Sequence, residues 1–190
     1  MEGLFIFLIC LVVVAVIVVV MIISYFIVTK NKFIKMQEDI KNSSSRIDVY
    51  LTKRFDDITK LVDTIKGYTK HENETLTSIT EMRSKLENSN TMQEKAAFAS
   101  ELDSKLAGLK VIVENYPDLK ADKLFLRLQD EISEIEENLQ AARSNYNLNV
   151  SAYNKAIKVF PGRLVAKDKY KEAEYFEVEE TKKDSPKINF

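Results

Sequence analysis

A chain of 190 residues with one cysteine and one histidine has no disulfide framework and little material for histidine-based metal or catalytic sites. Its 28 basic and 29 acidic residues nearly cancel, which argues against a nucleic-acid surface, since that needs a basic excess to displace counterions from phosphates. Four Gly, three Pro and no Trp, among abundant Lys, Glu, Leu and Ile, point to helices rather than sheet.

The first predicted element is Leu4–Val28, an uncharged run of 25 residues, 20 of them Leu, Ile, Phe or Val. At 1.5 Å per residue it reaches about 37 Å, more than a hydrocarbon core of about 30 Å, so some tilt is expected. A cleaved signal peptide would have a shorter apolar core, basic residues before it and a small-residue cleavage site after it. Here Met1-Glu2-Gly3 precedes the run and no A-x-A pattern follows, so the segment reads as an uncleaved anchor. Cys10 is preceded by Leu8 and Ile9, which speaks against a lipoprotein. Lys30, Lys32 and Lys35 follow the span and nothing basic precedes it. The positive-inside rule then predicts a single-pass protein of the cell membrane, N-terminus outside and soluble domain cytoplasmic.

Helical periodicity resumes at once. Ile40, Ile47, Leu51, Ile58, Leu61, Ile65 and Tyr68 recur in steps of three and four, and Leu76, Ile79, Met82 and Leu86 extend the pattern. Asn42–Ser45 is a polar weak point; Gly67, costing about 1 kcal/mol relative to Ala in a helix, is the expected bend or break. Thr91-Met92-Gln93-Glu94 fits a capping box before a helix with Phe98, Leu102, Leu106, Leu109, Val113 and Tyr116 on one face. Pro117 should end it. Asp122 is the expected N-cap of a third helix, whose stripe runs from Leu124 through Leu128, Ile132, Leu139, Tyr146 and Tyr153 to Phe160. Pro161-Gly162 stops it. The predicted fold is all-α: an N-terminal transmembrane helix followed by an antiparallel helical bundle of three to four long helices.

Few residues invite a chemical reading. His71-Glu72 opens an H-E-x-x-H pattern, but position 75 is Thr and no second histidine exists, so a zinc site fails on ligand count. Tyr146-Asn147 and Tyr153-Asn154 repeat seven residues apart and share one side of a helix, with Arg143 a turn earlier. They could form a polar groove for a ligand or partner peptide. The favoured reading is that the tyrosines are core-edge residues whose hydroxyls reach Arg143, Glu114 or Arg54 in a structural polar network. Arg54, Glu114, Tyr116 and His71 are the candidates for that network. Acids such as Glu134, Glu136, Glu137, Asp56 and Asp57 sit among basic residues at helical spacing and read as a solvated face. No cofactor and no metal are expected.

The stretch Glu114-Asn115-Tyr116-Pro117-Asp118-Leu119-Lys120-Ala121 is followed by Phe125, Leu128-Gln129, Arg143-x-x-Tyr146-Asn147, Val150, Tyr153-Asn154 and Phe160-Pro161. Ile47-Asp48, Arg54, Asp56, Leu61-Val62, Lys66-Gly67-Tyr68 and His71-Glu72 precede it. In order and spacing this sequence resembles the LemA proteins from about Asn31 to Phe176. It departs from them at Lys30, Ser44 and Thr59, where the family typically has Tyr, often Trp and often Pro. The resemblance implies a membrane-anchored helical bundle, often described as four-helix, and names no reaction. The expected organisation is therefore a 1–29 anchor, a 30–176 LemA-like bundle and a 177–190 flexible tail. The expected function is a non-enzymatic membrane-tethered scaffold or adaptor. Its partners would be the lipid bilayer and membrane proteins or further copies joined through coiled-coil-like faces, with no nucleic acid. The alternative is a sensory or ligand-binding bundle.

Overall fold

A computed structural model describes residues 2–68, 73–167 and 169–177. Its regular structure is helical: α1 spans Glu2–Lys66, α2 Asn73–Glu81, α3 Arg83–Glu87, α4 Met92–Glu114, α5 Pro117–Lys120, α6 Lys123–Lys158 and α7 Gly162–Ala166. No strand occurs among the described residues.

The apolar run and the first amphipathic segment belong to one helix of 65 residues. Asn42–Ser45 passes through it uninterrupted, since the segment holds neither Gly nor Pro, and Ser43 is buried. α1 ends at Lys66, one residue before Gly67. There the N–H groups of Gly67 and Tyr68 donate to the carbonyls of Thr64 and Ile65, three residues back, tightening the last turn.

Capping chemistry sets the later boundaries. At the start of α4 the Glu94 N–H donates to Thr91 Oγ1 at 3.1 Å, and Glu94 Oε2 accepts from the N–H groups of Thr91 and Asn90 at 2.9 and 2.8 Å. Pro117 occupies the first turn of α5, where its missing N–H is not needed. Asp122 caps α6: Oδ1 accepts from the N–H groups of Leu124 and Phe125 at 2.8 and 3.0 Å, and Oδ2 accepts the Tyr68 hydroxyl at 2.7 Å.

The chain forms two compact units, Met1–Lys41 with Asn149–Ala173, and Asn42–Leu148 with Glu174–Phe190. In the first, Phe33, Tyr153, Ile157, Val165 and Ala166 make a buried cluster, with Met36, Ile40 and Tyr170 packed against it. Phe33 and Tyr170 meet edge-on, ring centroids 5.0 Å apart. Glycine is required at 162, because a Cβ there would collide with the Ala156 carbonyl oxygen and press on the Phe33 ring at 3.3 Å. The hydrophobic stretch of α1 is long and apolar enough to cross a membrane, and none of it is buried within the protein.

In the second unit, contacts fix the helix directions. Lys95 pairs with Asp48, and Arg54 with Asp103, so α4 runs parallel to α1. Arg54 also meets Glu136 while Tyr68 meets Asp122, so α6 runs antiparallel to both. Arg83 faces Asp56, and Leu86 and Glu87 line a small pocket with Asp48 and Thr52, which brings α3 back along α1 in the opposite sense. Directions therefore alternate along the chain. Leu51, Ile58 and Val62 of α1, Ile79 of α2, Ala99 and Leu102 of α4, and Leu139 of α6 are buried.

The predicted stripes hold along their middles and fail at their ends. Leu124 and Phe160 are exposed and Phe125 is buried in place of Leu124. The Asp122 cap fixes the phase of α6 so that its third residue turns inward. Phe160 lies beyond the last helical residue, Lys158, where helical phase no longer applies. Tyr68, past the end of α1, is exposed for the same reason.

Candidate functional site

Leu51, Arg54 and Ile58 stand three and four residues apart, so the buried stripe of α1 carries a guanidinium into the core. Arg54 is 4% exposed. Its Nη2 donates to Asp103 Oδ1 at 2.6 Å, and its Nη1 lies 2.9 Å from Glu136 Oε2, a charge contact without hydrogen-bond alignment. Arg143 Nη1 reaches the other Glu136 oxygen at 3.5 Å. Two arginines and two carboxylates thus share one site, and the charges balance. Burial pushes the Arg143 guanidinium down; Glu136 and Asp103 push it back up, and Arg54 adds a smaller lowering. Hydrogen bonding does not balance as the charges do. Arg54 Nε and Nη1, Arg143 Nε and Nη2, and Glu136 Oε2 are buried without a hydrogen-bond partner.

This cluster closes one end of an open cleft of about 560 Å³. Leu61 of α1 lies on its floor, Leu106, Leu109 and Val113 of α4 line one wall, and Phe125 and Ile132 of α6 line the other. Asp103 and Val113 are ten residues apart on α4, about 15 Å along the axis. Lys110 of α4 and Gln129, Asp130 and Ser133 of α6 also line it, so the cleft pairs apolar walls with a polar rim, as a small-molecule site can.

The Tyr–Asn repeat is occupied by the chain itself. In the second unit, Asn147 Nδ2 donates to the Phe176 carbonyl at 3.0 Å and its Oδ1 accepts the Phe176 N–H at 2.9 Å. The Tyr146 hydroxyl donates to the Glu174 carbonyl at 2.8 Å, and the Arg143 guanidinium lies 5.0 Å from the centre of the Phe176 ring. In the first unit, Asn154 grips Ala173 in the same two-sided way, at 2.9 and 2.8 Å, while Tyr153 Oη accepts from Gln37 Nε2 at 3.1 Å. Each side-chain amide thereby supplies one donor and one acceptor to a single backbone residue, as a neighbouring strand would. Burial raises the pKa of both tyrosines; the Gln37 contact lowers that of Tyr153 in part.

Of the sequence candidates, the structure brings Arg54 and Arg143 together, sets Tyr146, Asn147 and Asn154 against residues 173–176, and turns the Tyr153 hydroxyl to Gln37. The tyrosine hydroxyls meet Glu174 and Gln37, not Arg143, Glu114 or Arg54. Glu114 is exposed and Tyr116 half-buried at the end of α4, and Arg54 finds Asp103 and Glu136 instead. His71 lies outside the described residues. Glu136 is a correction: it reads as solvated in sequence but turns toward Arg54, its side chain 28% exposed. The signal was there, since Leu139 and Ile132 flank it on the buried face at spacings of three and four. Asp103 has a weaker form of the same signal, with Ala99 four residues before it and Leu106, only half-buried, three after. Among the described residues no group of three His, Cys, Asp or Glu side chains is placed to hold a metal ion.

The LemA family model matches residues 43–190. The chain belongs to the LemA family. A Protein LemA of Metamycoplasma hominis is similar to it, 37% identical over 147 residues, which cover 76% of this chain and 67% of that protein. In this LemA family member the Arg54 cluster, the cleft and the Tyr–Asn repeat all fall within the matched residues, whereas Leu4–Val28 precedes them.

Proposed function

We propose that the protein is a membrane-anchored, non-enzymatic scaffold or adaptor of the LemA type. The observation that carries this reading is α1. Phe5–Val28 is uncharged and unburied throughout and apolar at every position but Ser24, and the same helix continues into the packed segment that holds Arg54. A bilayer accounts for such a surface; a water-exposed one of this extent would be an aggregation liability. Tethering confines the helical domain to a thin layer and raises its effective concentration for other membrane proteins. Lys30, Lys32 and Lys35 after the span favour a cytoplasmic domain. Proximity labelling from a C-terminal fusion in intact cells tests side and neighbours together. Labelled cytoplasmic-face membrane proteins, recovered reproducibly, are the expected result. Labelling confined to the outer side would reverse the orientation, and affinity capture yielding no reproducible partner or oligomer would remove the scaffold reading.

The cleft beside Arg54 favours a second reading, a membrane-tethered ligand-binding bundle. The Tyr–Asn repeat is already partnered by residues 173–176 and by Gln37, so the ligand site would be the space between α4 and α6. Thermal-shift screening of the solubilised chain with neutral and anionic amphiphiles addresses it. A shift that Arg54→Met abolishes supports ligand binding; no shift with any of them leaves the scaffold reading alone.

A further inference from the structure

We propose that the corner formed by the α6–α7 turn and the start of α7, Val159–Leu164, is a second membrane contact that inserts its apolar tip into the lipid interface beside the α1 span. The inference rests on the anchor reading above and concerns one compact unit throughout. Val159, Phe160 and Leu164 are 52%, 75% and 52% exposed, and no other described large hydrophobic residue is as exposed as Phe160. One exposed apolar side chain is ordinary; three within six residues at a single tip need a covering surface.

Position identifies that surface. Gly162, inside the turn, lies against the Phe33 ring, and Phe33 also packs on Val165, Ala166 and Tyr170. Phe33 is five residues past Val28, the last residue of the apolar run, or about 7.5 Å along the helix. The headgroup layer on each side of the hydrocarbon is about 5–8 Å deep. The turn is therefore held at headgroup level by the same packing that forms the unit's core.

Charge identifies the lipid. Residues 29–41 and 149–173 carry ten Lys or Arg against four Asp or Glu, although the chain as a whole is at −1. The formal neutrality of the soluble part thus hides a segregation, with the excess of positive charge gathered around this turn. Lys158 and Arg163 flank the apolar tip, and Lys30 and Lys32 follow the span. Glu172 pairs with Lys158 at 2.7 Å and offsets part of this charge. Basic residues beside exposed aromatic and aliphatic ones are the composition that binds an anionic interface.

The chain has no tryptophan, so Phe160→Trp creates a lone fluorescent reporter. The full chain carrying it is reconstituted into phosphatidylcholine vesicles with or without phosphatidylglycerol, with bromine placed shallow or deep in the acyl chains. Ile17→Trp, within the apolar run, reports the span in parallel. We expect deep bromines to quench Ile17→Trp and shallow bromines to quench Phe160→Trp, the latter more strongly when phosphatidylglycerol is present. Quenching of Ile17→Trp without quenching of Phe160→Trp overturns this inference and leaves the anchor intact. Quenching of neither overturns both. Equal quenching of Phe160→Trp with and without phosphatidylglycerol overturns the choice of an anionic interface. If Phe160→Trp loses its helical signal, Leu164→Trp carries the same test.

Discussion

Glu94 and Asp122 each hold the start of a helix, and both carboxyls sit below their ordinary range. For Glu94 the leading cause is the Thr91 N–H, followed by that of Asn90; for Asp122 it is the Phe125 N–H, then the Tyr68 hydroxyl. A carboxyl lowered in the folded state adds stability that is complete above its unfolded pKa and is lost as pH falls through the folded value. Acid titration followed by circular dichroism should therefore show stability falling from the ordinary carboxylate range downward, and Asp122→Asn, which still caps, should flatten part of that fall. A variant profile that tracks the parent would refute the assignment. Arg54 makes a different case. Arg54→Ala leaves Glu136 facing only Arg143 and opens the core, and should cost up to the roughly 3–5 kcal/mol of a broken buried ion pair. Asp103 is half in solvent, so Asp103→Asn should cost no more than the 0–1 kcal/mol or so of a surface pair. Urea midpoints giving equal losses would mean that burial does not govern this cluster.

At the level of elements, the two asparagines of α6 set the course of the chain after α7. Asn147→Ala or Asn154→Ala removes two hydrogen bonds at about 0.5–1.5 kcal/mol each and should release the Phe176 or Ala173 amide to fast hydrogen exchange. Asn→Asp at either site keeps the acceptor but loses the donor, so partial protection is expected; full protection would show that only the acceptor matters. How far this was legible in sequence depended on what fixed each feature. Caps were readable because Thr91, Glu94 and Asp122 act on amides two to four residues away. Helix interiors were readable from the spacing of residues such as Leu51, Ile58, Leu128 and Leu139. The strand-like grip on residues 173–176 was not, because its partners are 19 and 29 residues downstream and a backbone target leaves no side-chain pattern to find. Arg54 fell on the apolar spacing of α1 and Glu136 on that of α6, yet that Arg54 would meet Asp103 and Glu136 was fixed only by how α4 and α6 pack on it.

Over the whole molecule, an apolar run leads directly into a helix whose first partners come from the far end of the chain. Gln37 meets Tyr153 across 116 residues. Ribosomes add about 5–20 residues per second, so the face of α1 around Phe33 and Gln37 waits roughly 6–25 s for the residues that cover it. The long apolar stretch of α1 and a bare hydrophobic ridge just beyond it must coexist for that interval. A chain halted after Leu148 would keep the ridge bare permanently, without Tyr153, Ile157, Val165 and Ala166. Pulse-chase comparison of that truncation with the full chain should show faster degradation of the short form. Equal half-lives would mean that the ridge finds cover elsewhere during synthesis. The order of translation thus makes the last quarter of the chain the guardian of the first, and a nascent protein of this design is most vulnerable just before it is finished.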